Sequence, residues 1–577
     1  MAVCVSRSSK TSTGEPDPRS KALLSPSRDV TPPPPPPPTR TRATTVIVRI
    51  LRPAYRCLRN AWQRVFARDG VLGLESELFE VVYLCREGVQ LGLQIHQAYE
   101  LSRFVPRPIL NHTYIALVVT KCWTLPLAHA SLSKPTHRAM RRLCLLGSDL
   151  VLGVASTVVV PSVLAVSYVR QFDAVLTDFP ATLWYNDRWV VHAISESHLL
   201  LLATPLDVAR KILVSIGVLL SLRRLRQFVK RRKNALVSRS APSLGIPSQM
   251  TQQSHHSPPH RRSLRVALRV IHVACAIAGV VVLALHLHAH ARATTPFCAM
   301  QVRPWGVERP SCALVMLTCD TSASDSLAAA LDAVDPRYVA NVAIRHCDGI
   351  VIPRVFQSLT HIVGIKTYNT SIAAWPEDAA LTQETHPDIR FALFLRTNFS
   401  GGVLPIGLHT APFPPRLVDV EIVSSNLREL PTDLDAVWHT GMNLFFELCR
   451  EMRRISPVLA RLQPLVVSMA GSPVEELPIA LLESPNLYVL SLRNTSISVI
   501  DDDWDTSASL LVSLCLEYSR LEKIPRWVTP AFRKRTSVLA KGTPLCEHNA
   551  SITLVNCTHH GPDHMTFYPL DIEDHNT

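Results

Sequence analysis

Catalytic signatures are what this chain most plainly lacks. It has no Gly-x-x-x-x-Gly-Lys-Ser/Thr to cradle a phosphate, no kinase lysine, catalytic-loop and Asp-Phe-Gly set, no Gly-x-Ser-x-Gly and no His-Glu-x-x-His. A receptor kinase is excluded on that ground, so any signal has to pass to a partner. The expectation is a protein that is not an enzyme, with no cofactor and no bound metal. Aromatic residues make up only 6%. No zinc finger, RNP-like aromatic motif or helix-turn-helix pattern accompanies the net charge of +14, so the basic excess comes without the reading heads of a nucleic-acid binder. An apolar h-region is missing from the start, and no cleavable secretory signal is visible.

What is present is asymmetry. A chain of 577 residues exceeds one compact core, so several regions are expected. Residues 1–290 carry 37 Lys+Arg against 15 Asp+Glu, and residues 291–577 carry 23 against 31. Such a split between halves suggests membrane or compartment polarity. Cysteine divides too: Cys298, Cys312, Cys319, Cys347, Cys449, Cys515, Cys546 and Cys557 all follow the last apolar segment. Several could bridge in an oxidising compartment, with a connectivity that spacing does not reveal. The ordinary alternative for Cys347, Cys449 and Cys515 is that they are small buried hydrophobes.

Residues 1–43 form a Ser/Thr/Pro/Arg-rich tail expected to be disordered, with Pro32–Pro38 as a polyproline II spacer. Residues 44–110 read as an amphipathic helical region, and 111–222 as transmembrane helices with candidate spans at 114–130, 150–169 and 199–222. The first contains Lys121 and Pro126, and the last contains Asp207, Arg210 and Lys211, which makes both weaker spans than 150–169. A basic loop over 223–265 contains Arg223–Lys233, and 266–288 is a further span. Lys/Arg-rich loops stay cytosolic, which places 134–142 and 223–265 inside and the acidic 171–198 outside, together with everything after His290. Four full spans then leave the basic tail outside. Either 114–130 is re-entrant or 79–103 crosses as well.

Beyond residue 330 a pattern recurs about every 24 residues. Leu417, Val420, Ile422, Ser425, Leu427 and Leu430-Pro431 make one copy, and Leu511, Leu514, Leu516, Ser519, Leu521 and Ile524-Pro525 another. Units start near 339, 362, 390, 417, 442, 464, 487 and 511, with the unit near Met442 out of register. This period is the signature of a leucine-rich-repeat solenoid. The fold class expected is therefore α+β: an N-terminal helical transmembrane region followed by an α/β leucine-rich-repeat solenoid. Residues 291–338 would cap its start, 339–540 form the repeats, and 541–577 form the C-terminal cap and tail.

Each short strand alternates core and outward side chains. The outward set predicts a concave ligand-binding stripe containing Arg345, Lys366, Tyr368, Arg396, Glu421, Arg493, Glu517 and Tyr518, where Tyr and Arg suit a protein or peptide partner. A Cys546–Cys557 disulfide could close the last repeat. Six Asn-x-Ser/Thr triplets occur, and five follow the last helix. Asn369, Asn494, Asn549 and Asn556 are the glycosylation candidates. Asn398 takes the place of an internal asparagine ladder and is expected to stay unmodified. His286, His288 and His290 alternate at the end of the last helix, where helical geometry should spread them around the axis. Asp501, Asp502, Asp503 and Asp505 read as a solvated acidic turn.

The units Leu487–Leu490–Leu492 and Leu511–Leu514–Leu516, with Gly542-Thr543-Pro544-Leu545-Cys546, resemble extracellular leucine-rich-repeat proteins of plants and oomycetes. The order of basic tail, helices and repeats resembles the multi-pass, receptor-like leucine-rich-repeat membrane proteins of oomycetes. That resemblance implies a multi-pass glycoprotein of the plasma membrane or endomembranes with extracytoplasmic repeats. It would bind a protein, peptide or glycan without catalysis and could act through a cytosolic signalling or scaffold partner. Asp501, in place of the usual proline after Ile500, departs from the pattern. Two alternatives stay open: a channel or transport protein with cytosolic repeats, which resembles volume-regulated anion channels in layout, and an adhesion or structural surface protein.

Overall fold

In a computed structural model of the chain, residues 79–132, 138–174, 177–200, 205–239, 260–319, 323–507, 509–548, 553–558 and 568–575 are described. The 1–43 tail with its proline run, the part of the amphipathic region before Phe79, residues 240–259 of the basic loop and Asn549 lie outside them. The described chain is mixed α/β, with helices followed by a twelve-stranded, mostly parallel sheet.

The principal helices of the first half are α1 (Phe79–Phe104), α2 (Pro108–Ser131), α3 (Arg138–Val154), α4 (Val160–Val169), α5 (Asp187–Leu200), α6 (Pro205–Arg239) and α7 (His260–His290). A π turn, Ala155–Val159, joins α3 to α4. It ends two residues before Pro161, whose missing N–H cannot continue an α ladder. Two helical runs are long and apolar enough to cross a membrane, Met140–Val169 and Arg269–His290. Their apolar side chains face outward: Val151, Val163, Val273 and Ile277 are all exposed, which is unlike a helix inside a soluble core. Residues 223–239 continue α6 rather than forming a loop, because Leu, Phe and Val recur among the arginines and no breaker intervenes.

The charged residues that weaken the 114–130 segment as a span are matched inside the bundle. Lys121 Nζ on α2 lies 3.4 Å from Glu87 Oε2 on α1 and 3.3 Å from Asp149 Oδ1 on α3. Arg86 donates to Asp149 at 2.6 Å and also pairs with Glu87. Ser221 of α6 donates to Asp149 at 2.5 Å. Two cations and two carboxylates thus satisfy one another, the condition under which buried charge is tolerated.

The strands are β1 (Cys298–Val302), β2 (Ser311–Thr318), β3 (Asn341–Arg345), β4 (Ile350–Val351), β5 (Gly364–Ala374), β6 (Phe391–Phe399), β7 (Asp419–Val423), β8 (Asn443–Glu447), β9 (Val466–Ser468), β10 (Val489–Ser491), β11 (Ser513–Cys515) and β12 (Ser537–Leu539). Chain order is sheet order, with β4 beside β5 off the main path. Among these strands only β1 and β2 pair antiparallel. Val342, Ile365, Ala392, Val420, Leu444, Val467, Leu490, Leu514 and Val538 stand in one register row. All nine are buried in a single core, so shortening any of the larger ones to Ala should cost about 2–5 kcal/mol. The segment near Met442 is regular after all. Leu444, Phe446 and Cys449, not Phe445 and Leu448, take the core positions.

A buried small polar or thiol side chain stands in or just after nine of the strands: Cys347, Thr370, Thr397, Ser425, Cys449, Ser472, Thr495, Ser519 and Thr543. Several bond the backbone of their own turn. Thr495 donates to Leu492 O at 2.8 Å and Thr543 to Ala540 O at 2.7 Å, while Ser472 Oγ donates to Phe446 O at 2.8 Å and accepts from Cys449 N–H at 3.0 Å. This answers the backbone groups that each turn would bury. Thr397, not Asn398, holds the position in its unit. The side chain of Asn398 is exposed, since a one-residue offset points it to the other side.

Disulfides join Cys298–Cys312 and Cys319–Cys347 at the start of the sheet and Cys546–Cys557 at its end. Cys347 is therefore bonded rather than merely packed. Cys449 and Cys515 are free and buried.

Candidate functional site

The strands turn one face toward the core and the other toward the helical half. On that second face the register aligns Arg345 with Tyr368, Lys366 with Leu393, and Glu421 with Phe445. A free concave surface is expected there, but the chain covers it with its own residues. Arg345, Lys366, Tyr368, Glu421 and Glu517 are all buried, against the open stripe read from sequence. Arg493 and Tyr518 remain partly accessible and meet as a cation–π pair at 5.6 Å. Arg396 lies within β6, where a φ of 46° turns it aside to donate to Tyr368 Oη at 3.0 Å.

Two segments form the cover. One is the start of α5 with the turn before it, and the other is the C-terminal stretch Tyr568–His575. Asp187 receives Arg345 at 2.9 Å and Lys366 at 3.1 Å. Glu573 receives Arg345 at 3.0 Å and also pairs with Lys366. Two cations from the sheet meet two carboxylates from the cover, so the buried charge balances. Lys366 Nζ donates further to Tyr185 O at 2.8 Å, and the Tyr185 and Tyr568 rings lie 4.2 Å apart. Tyr568 bonds twice, through its N–H to Glu447 Oε2 at 2.8 Å and through its hydroxyl to Glu573 Oε1 at 2.8 Å. Sequence reasoning missed Asp187, Tyr185, Tyr568 and Glu573 because their partners on the sheet are 121 to 236 residues away. The one available signal was charge, since both carboxylates lie outside the repeats opposite a basic stripe.

Beside this plug, strands β7 and β8 bring Asp419, Glu421 and Glu447 onto the same face. Burial pushes the Asp419 carboxyl up to about 7. Burial also raises Glu421 well above the usual range, helped by the nearby Asp419 and Glu447 charges, and it raises Glu447. Tyr185 Oη donates to Glu421 at 3.3 Å, and Ser468 Oγ donates to Glu447 at 2.5 Å. Asp419 Oδ1 is different: it is buried and has no hydrogen-bonding partner among the described residues.

Asp419 and Glu421 border a cleft of about 740 Å³ between the sheet and α5. One wall is aromatic. Phe179, Trp184 and Trp189 stand edge to face at 5.1–6.1 Å, and Tyr168 closes on Trp189 at 6.1 Å. The other wall is Val363, Phe391, Leu393 and Val418, with Arg390 and Arg416 also lining it. Phe391 lies directly over Gly364, where a Cβ would come within 2.0 Å of its ring. The cleft joins large apolar faces to a carboxyl oxygen that still needs a donor, an arrangement suited to holding a ligand.

The glycosylation candidates divide by exposure. Asn369 and Asn494 are exposed, as is Asn398. Asn556 is half-buried, and its Oδ1 accepts from Thr558 N–H at 3.0 Å. Asn111 is buried and donates to Val105 O at 3.0 Å. His112 of α2 meets His286 and His290 of α7, a grouping the sequence reading did not foresee. No family model matches this chain, and no curated protein matches it.

Proposed function

We propose that this chain is a multi-pass membrane protein whose sheet is a leucine-rich-repeat solenoid of the receptor-like type, displayed outside the cytosol. It binds a protein, peptide or glycan and catalyses nothing itself. The observation that carries this reading is the cleft beside the plugged sheet face, where aromatic walls stand around the unpaired Asp419 carboxylate. The ligand enters this cleft and presents a donor group to Asp419, while the part of the face around Arg345 and Lys366 is satisfied by the chain itself. Three disulfides favour an oxidising compartment for the sheet, which argues against a channel-like layout with cytosolic repeats. Basic 223–239 and acidic 171–198 agree with that orientation.

The test uses the full chain with an epitope tag after Thr577, expressed in intact cells. The tag should bind antibody without permeabilisation, and a glycosidase should reduce the apparent mass. Peptide and glycan arrays probed with the purified chain should then give signals that Trp189→Ala and Asp419→Asn both diminish. A tag reached only after permeabilisation, on a chain with no glycan and reduced thiols, would refute the reading.

A further inference from the structure

On α7, His286 and His290 are four residues apart and so share a face, whereas His288 points elsewhere and is exposed. That face packs against α2, which contributes His112. His112 Nδ1 lies 2.8 Å from His286 Nε2. The ring centroids are 4.9 Å apart for His112–His286, 4.5 Å for His112–His290 and 4.1 Å for His286–His290. One nitrogen from each ring falls within 4.8 Å of the other two.

The local hydrogen bonds prepare these rings as ligands. His290 Nδ1 bonds the carbonyl of His286 at 3.0 Å. This contact orients the ring and puts the proton on Nδ1, leaving the Nε2 lone pair free. That Nε2 is buried with no hydrogen-bonding partner among the described residues. Unmatched buried nitrogens are costly unless something else answers them. The group lies in the last turn of α7, where the carbonyl end of the helix dipole favours a cation. Arg303 already exploits that end, donating to His290 O at 2.7 Å. His112 is exposed and leaves a path for an ion to enter.

We propose that His112, His286 and His290 form a binding site for a divalent transition-metal ion of the zinc or copper class. Three imidazoles without a thiolate or carboxylate suit those ions, and the open side at His112 leaves a fourth position for water or another ligand. Bonds of 2.0–2.1 Å in tetrahedral geometry set neighbouring nitrogens about 3.3 Å apart. The His112 and His286 rings therefore separate by about half an ångström on binding, within the reach of side-chain torsion. The ion bolts α2 to α7 just before the chain enters β1, and so stiffens the junction between helices and sheet.

The test uses the untagged full chain in detergent, stripped with a chelator and titrated with Zn²⁺ and separately with Co²⁺. One ion per chain is expected, and Co²⁺ should give the intense visible bands of a four-coordinate nitrogen-ligated site. His112→Ala and His290→Ala should each weaken binding at least tenfold and abolish those bands, while His288→Ala leaves both unchanged. His286 is buried, so His286→Ala is secondary, and the accessible His112→Ala decides. Absence of stoichiometric binding, or equal losses in His288→Ala and His112→Ala, would overturn the site.

Discussion

Asp419 shows how much one buried carboxyl can set. Its folded-state pKa of about 7 stands above the ordinary 3.8 because burial penalises its charged form. A group raised in this way stabilises the fold fully below 3.8, and the contribution is lost as pH rises through about 7. Asp419→Asn removes the ionisation and keeps the shape. The variant should therefore be more stable than the parent at pH 8, on the order of a few kcal/mol. The gap should close toward pH 4, as read from denaturant midpoints at the two pH values. Glu573 makes the complementary case. With Glu573→Ala, Arg345 and Lys366 keep only Asp187 among the carboxylates described above, and an uncompensated buried charge costs about 3–5 kcal/mol. A shift of the urea midpoint reads this directly, and an unchanged midpoint would mean that the C-terminal stretch is not seated on the sheet.

Elements carry the next level. The last strands end at an exposed core edge unless something closes it, and the Cys546–Cys557 bridge with the Pro544–His548 turn does so. A Cys546→Ser, Cys557→Ser double variant should lose about 2–4 kcal/mol and become sensitive to protease near its C-terminal end. Reductant should make the parent equally protease-sensitive at its C-terminal end and leave the sensitivity of that end unchanged in the double variant, whose other two disulfides lie at the start of the sheet. At the other end, strand register rather than composition decides which residues reach the surface. The unit near 442 looks irregular in a linear count, yet pairing with β7 shifts it by one residue and restores Leu444 and Phe446 to the core. A parallel neighbour imposes register on a strand whose own pattern is ambiguous.

For the whole molecule, the proposed orientation makes a prediction about sugar. Exposed Asn369, Asn398 and Asn494 should accept glycans in a glycosylating compartment, and buried Asn111 should not. Mass spectrometry of peptides released from secretory-pathway material reads each site. Modification at Asn398 would place its side chain outside the core row, and a chain bare at all three exposed sites would count against display beyond the cytosol. The two halves also touch through hydrogen bonds as well as apolar contacts. Arg303 N–H donates to Ser102 O at 3.1 Å, and Asp187 sits on the sheet.

The sequence alone determined the repeating strands, the apolar runs at 150–169 and 266–288, and the division of charge, because each is written in the spacing and kind of neighbouring residues. It also placed Arg345, Lys366, Tyr368 and Glu421 on one face, since side-chain alternation follows from strand geometry. The tertiary structure decided that this face is covered, by bringing residues 179–200 and 568–575 onto it. It decided that Lys121 is matched and that His112 meets His286 and His290. Those outcomes depend on contacts between segments far apart in the chain, and no local period encodes a partner that arrives from another element.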